Sequence, residues 1–256
     1  MTVELAVKKT IDYANRFGSH INMDEIKKRL ISNKIYSEET VDKEISRLNW
    51  KNKNNKWGKI KIIKAKKLAL LIKNKFKDIL FLGISGSVAC AHPKKNDDID
   101  IFIITKTNTL WKNRLFLRWW MYKNKIPHRK FKEKEFKDQF CLNLWLDEGC
   151  LEIPKNRQNL KNAIDLLLLK PLINKKNTYE KLLLVNSWAA KFVATPYVNK
   201  TKDLRFKIQD SRIRQNNFDK VINYLYFWPQ YWYMKPKITK EKIGLYQAFF
   251  HRQMVK

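Results

Sequence analysis

Apolar positions recur along the first third of the chain with a helical period. In residues 2–17, Val3, Ala6, Val7, Ile11, Ala14 and Phe17 form one stripe, closed by Gly18. Asn22 with Glu25 three residues on resembles a capping box and predicts a helix to about Ile31. Ser37 is placed to cap a third helix, Glu38 to Leu48, with Val41, Ile45 and Leu48 facing inward. Trp50–Asn55 and Trp57–Ile63 then read as two short strands around a Lys/Asn turn. Three helices and a basic hairpin are the outline of a winged helix-turn-helix, residues 1–63. Its third helix is net acidic, which favours a packing module over a groove reader and leaves any nucleic-acid contact to the Lys-rich wing.

The middle of the chain changes period. After an amphipathic helix at Lys64–Lys77, an apolar run, Ile79–Ile84, stops at Ser85-Gly86-Ser87. A second run follows in which Asp98 and Asp100 alternate with Ile99 and Ile101. Thr107 or Asn108 then starts a helix to about Lys123. In it Trp111, Arg114, Arg118 and Trp119 interleave, a pattern that reads as core packing with Arg at the rim or, alternatively, as a base-stacking surface. Lys125–Lys137 reads as loop or edge strand, Gln139–Leu146 as a third strand and Cys150–Ile153 as a short return before Pro154. From Asn159 the pattern is helical: one helix over Leu160–Leu168 broken by Pro171, then Thr178–Val193, Asn216–Trp232 and Lys240–Arg252. The expected class is α+β: a winged-helix-like module (1–63), a small mixed-sheet core (64–154) and a helical C-terminal region (155–256).

Residues two apart on a strand share a face, so Asp98 and Asp100 project together while Ile99 and Ile101 are buried. Adjacent carboxylates repel, and a hard divalent cation such as Mg²⁺ relieves them. Ser85, Gly86 and Ser87 allow a tight turn that opens a helix toward phosphate oxygens. Gly86-Ser87, ten intervening residues and Asp98-Ile99-Asp100-Ile101 together resemble the motif of the polymerase-beta-like nucleotidyltransferase superfamily.

The resemblance implies a nucleoside triphosphate, ATP being the first choice, whose phosphates lie on Ser85, Gly86 and Ser87. Asp98 and Asp100 would hold one or two Mg²⁺ ions that neutralise charge at the α-phosphate as pyrophosphate leaves. Transferring members of the superfamily carry a third carboxylate on a later strand. Here the matching slot is Asn143, an amide that accepts no proton. Asp147, two steps along the same face, is the substitute. The longer order, with CLNLWL, LLLLKPL, NSW and YMKPKITKEKIGLYQAFFH, looks like uncharacterised bacterial nucleotidyltransferase-domain proteins.

Composition narrows the partners. The 256 residues carry a net charge of +30, yet only eleven of 54 basic residues are Arg, and the Lys and Asn excess also fits an AT-rich coding sequence. Distribution says more: residues 51–77 hold eleven Lys and no acid, whereas 138–154 hold four acids and no base. Acid thus gathers near the site and base flanks it, as expected for chemistry on a polyanion. RNA or another nucleic acid is the expected acceptor. A protein acceptor of the kind modified by nucleotidyltransferase antitoxins, or a small molecule in an acidic pocket, is the alternative. A binding protein that kept the fold and lost the third acid is the competing class. Cys90, Cys141 and Cys150 lack metal-ligand spacing and read as incidental thiols. The aromatic C-terminal region, from Tyr224 to Tyr233 with Phe249 and Phe250, reads as core or a homodimer face or, alternatively, as a nucleobase platform. No bilayer-spanning run or signal-peptide pattern occurs, so a cytoplasmic location without membrane partners is expected.

Overall fold

A computed structural model describes residues 1–17, 21–48, 56–129, 136–204, 217–239 and 241–250. It begins with three helices, α1 (Val3–Arg16), α2 (Met23–Lys28) and α3 (Glu38–Ser46). Their caps are those the sequence signals: Thr2 accepts from Leu5 N, Asn22 and Glu25 form a reciprocal capping box, and Ser37 accepts from Thr40 N. Ala6, Val7, Ile26, Leu30, Val41 and Ile45 give this module a core of its own.

The expected wing is corrected in its second half. Trp57–Ile63 is the start of α4 (Lys56–Lys75), and the boundary expected at residue 63 falls inside that helix. The reason is a stripe that isoleucine content hides. Gly58, Lys61, Ala65, Leu68, Ala69 and Ile72 are buried at helical spacing, while Ile60 and Ile63, the strand-like residues, are exposed. The strand expected at Trp50–Asn55 lies outside the described residues.

Further elements are β1 (Ile79–Ile84), α5 (Gly86–Ala89), β2 (Ile99–Thr105), α6 (Leu110–Lys123), β3 (Phe140–Asp147), α7 (Leu160–Leu168), β4 (Lys170–Asn174), α8 (Thr178–Val185), α9 (Ala190–Thr201), α10 (Asn217–Met234), β5 (Lys242–Ile243) and β6 (Gln247–Phe249). The strands form one mixed sheet in the order β4-β1-β2-β3-β6-β5, in which β2 and β3 are parallel and the other neighbours antiparallel. One face packs Leu82, Ile84, Ile101 and Trp145 against α4, α6 and α10; the other packs Phe81, Phe102, Ile104 and Leu146 against α7, α8 and α9. The chain is thus α+β, with a sheet between two helical layers. Among the described residues no helix is long and apolar enough to cross a membrane.

The C-terminal region is less helical than its pattern. Pro171 does stop α7, but the chain continues as β4, an edge strand on β1 where a missing N–H is tolerated. Where a helix is expected over Lys240–Arg252, Gly244 instead turns β5 into β6, and β6 pairs with β3. Strands this short carry no readable period, and only distant partners stabilise them. The expected Thr178–Val193 helix is divided at Asn186, whose buried side chain accepts from Ile153 N and donates to Leu151 O. That pairing also explains why Cys150–Ile153 is a side-chain-anchored loop and no strand.

Candidate active site

The site is built where β1 ends. Gly86 has φ +63°, and a Cβ added there would lie 2.1 Å from Oδ2 of Asp100. The turn therefore needs glycine twice over, for its left-handed backbone and for its approach to the carboxylate. Ser85 N donates to Asp100 O at 2.9 Å, which seats the turn on β2. Ser85 opens α5 without a side-chain cap bond, and Ser85, Gly86 and Ser87 are all half-buried.

Asp98 and Asp100 flank buried Ile99 as the alternation predicts, on the face opposite Ile101. Asp98 Oδ2 accepts from Arg129 Nη1 at 2.9 Å. Asp100 adds to the Asp165 field that favours the charged form of Lys161 on α7. The parallel pairing sets Asp100 opposite Cys141, then slips: Ile101 faces Leu142 but Phe102 faces Leu144. Asn143 is the extra residue of this bulge, and its Nδ2 donates to Asp100 Oδ1. The slot read from sequence as the third position is therefore in contact with the carboxylate pair.

Cys141 is the member that sequence spacing missed. Its sulfur and the Asp98 and Asp100 oxygens lie within 4.8 Å of one another. Burial, reinforced by Asp100 and Asp98, pushes its thiol far above the ordinary range, and the thiol donates to Asn143 Oδ1 at 2.6 Å. Sulfur is a soft ligand that suits a hard cation poorly. The two carboxylates supply the oxygen donors that Mg²⁺ or Mn²⁺ prefers, and in that they fit such an ion; Asn143 turns its Nδ2, not its oxygen, toward Asp100.

Asp147 does not serve as the substitute third ligand. It pairs with Thr105 at the far end of β2, is wholly buried, and accepts from Asn108 N at 2.6 Å and Gly149 N at 2.8 Å. It holds a turn. Burial raises its carboxyl to about 6 despite those two bonds.

Two clamps fix the loop between α5 and β2, and neither is visible in sequence. Lys61 of α4, fully buried, donates to Asp97 O at 2.7 Å, Lys95 O at 3.3 Å and Asp138 Oδ1 at 2.6 Å. From the N-terminal module, Arg29 Nη2 donates to Cys90 O at 3.1 Å, and Glu25 Oε2 meets His92 Nε2 at 2.8 Å. Asp98 is thus delivered from a loop anchored at both ends. Compared with known proteins, the chain matches no family model, no curated protein and no solved structure.

Proposed function

We propose that this chain is a divalent-metal-dependent nucleotidyltransferase of polymerase-beta type, moving a nucleoside monophosphate from an NTP, ATP first, to a hydroxyl on a nucleic acid. The observation that carries the reading is the approach of Gly86 to Asp100, which packs the Ser85–Ser87 turn against a carboxylate with no room for a side chain between them. Asp98 and Asp100 would hold the metal. When bound, Mg²⁺ supplies Lewis-acid neutralisation of charge on the reacting phosphate. Ser85, Gly86 and Ser87, at the uncapped start of α5, orient the terminal phosphates. Arg129, paired with Asp98, keeps positive charge beside them. Because an amide accepts no proton, Asn143 does not serve as the base that deprotonates the acceptor hydroxyl.

A second reading, nucleotide binding without transfer, is favoured by one contact. The Asn143 amide donates to Asp100, compensating charge that a metal would otherwise offset. The fold-level claim is tested by thermal unfolding with Mg²⁺ and an α,β-methylene ATP analogue. The wild-type Tm rises, since a ligand that binds only the folded state stabilises it. The Asp98→Ala/Asp100→Ala protein shows no rise; an equal rise in both removes the site.

A further inference from the structure

We infer that the face formed by α6 and α10 binds single-stranded nucleic acid, through Arg118, Trp119 and Tyr233. This deepens the reading above by naming the surface that holds its acceptor, and it rests on that reading for the chemistry only.

The first observation is uncompensated charge. Helix α6 contains no acid. Arg114 is buried, with Gln230 Oε1 at 2.7 Å, Met234 Sδ at 3.3 Å and the Phe250 ring at 4.6 Å around its guanidinium, and no carboxylate among the described residues. Arg118, one turn on, is half-buried and makes no hydrogen bond or ion pair among them. Burial works against the charge of both, and at Arg114 the neighbouring Arg118 adds to it. Two like charges one turn apart in a partly dry site are costly without an anion, and an external phosphate removes that cost.

The second observation selects the kind of anion. Trp119 and Tyr233 are 55% and 70% exposed. Each carries a lysine on its ring, Lys123 at 5.4 Å and Lys237 at 3.3 Å. Exposed rings beside cations match what an unpaired strand offers, a base to stack and a phosphate to pair. A homodimer through this face would set like charges against each other, which disfavours the dimer expected from the aromatic content. Beneath this face Phe250, packed under Arg114, donates its N–H to Asn143 O at 2.9 Å.

The test is fluorescence anisotropy of a labelled oligouridylate of about 20 nucleotides, with the full chain and without Mg²⁺ or NTP. Trp119→Ala and Tyr233→Ala, both at exposed positions, each weaken binding about 5- to 100-fold. Arg118→Gln weakens it and lowers the salt slope by about 1. Asp98→Ala/Asp100→Ala binds like wild type, so a failure of the transfer reading leaves this result standing. Wild-type affinity in the aromatic variants, equal affinity for a duplex, or a homodimer that the same substitutions dissociate would overturn the inference.

Discussion

Lys61 and Asp138 form an ion pair at 2.6 Å in which the lysine side chain is wholly buried and the aspartate is partly open to solvent. Lys61 sits in a run of eleven lysines that composition marks as basic surface. Here one of the eleven is an internal strut. Its ammonium ties α4 to the loop that presents Asp98, while Asp138 keeps a second partner, Lys64, at 2.9 Å.

That asymmetry predicts an order of costs. Asp138→Ala strands a buried ammonium on two carbonyls and lowers stability by about 3–5 kcal/mol. Lys61→Met replaces the charge with an apolar chain of similar length and costs less. Urea unfolding of both proteins gives the comparison, and a larger loss for Lys61→Met contradicts the strut.

At Gly86, alanine faces two penalties. Its left-handed φ costs about 1–3 kcal/mol, and its Cβ displaces the Asp100 carboxylate. Gly86→Ala therefore loses stability and also loses the Mg²⁺-nucleotide rise in Tm. Ser87→Ala, half-buried in the same turn, changes stability by no more than about 0.5 kcal/mol. Matching behaviour of the two would show that the close approach is unimportant.

Asn143→Asp exchanges a donor to Asp100 for a like charge. The metal-free variant is less stable by about 1–3 kcal/mol, and Mg²⁺ raises its Tm more than that of the wild type. Calorimetric scans with and without the ion measure both effects. A variant indifferent to Mg²⁺ argues that no cation sits between these oxygens.

Asp147 makes stability depend on pH in a defined direction. Its folded value, about 6, lies above the unfolded value of about 3.9, so the native state binds more protons between them. Its contribution therefore falls as pH rises from about 4 to about 6, by at most about 1.4 kcal/mol per unit. Asp147→Asn removes that decline, which urea midpoints across the window resolve.

What the sequence made legible was local. The caps at Asn22 and Ser37, the turn at Ser85 to Ser87 and the Asp98–Asp100 alternation each depend on residues within one or two turns of chain, and each is found in place. What stayed hidden depends on distant partners. β6 is three residues long and exists because β3 pairs with it about a hundred residues earlier. Cys141 joins the carboxylates through a parallel register, and Asn143 reaches Asp100 through a bulge, neither of which leaves a periodic trace. Around Trp57, β-branched content argued for a strand where one buried stripe, with Lys61 among its members, makes a helix.

Nucleotidyl transfer by the Asp98–Asp100 pair is measured by incorporation of α-labelled ATP into total RNA and protein fractions with Mg²⁺, beside Asp98→Ala/Asp100→Ala. Label is expected in RNA with the intact pair alone. Label absent from every fraction, or equal label with the pair removed, would contradict it.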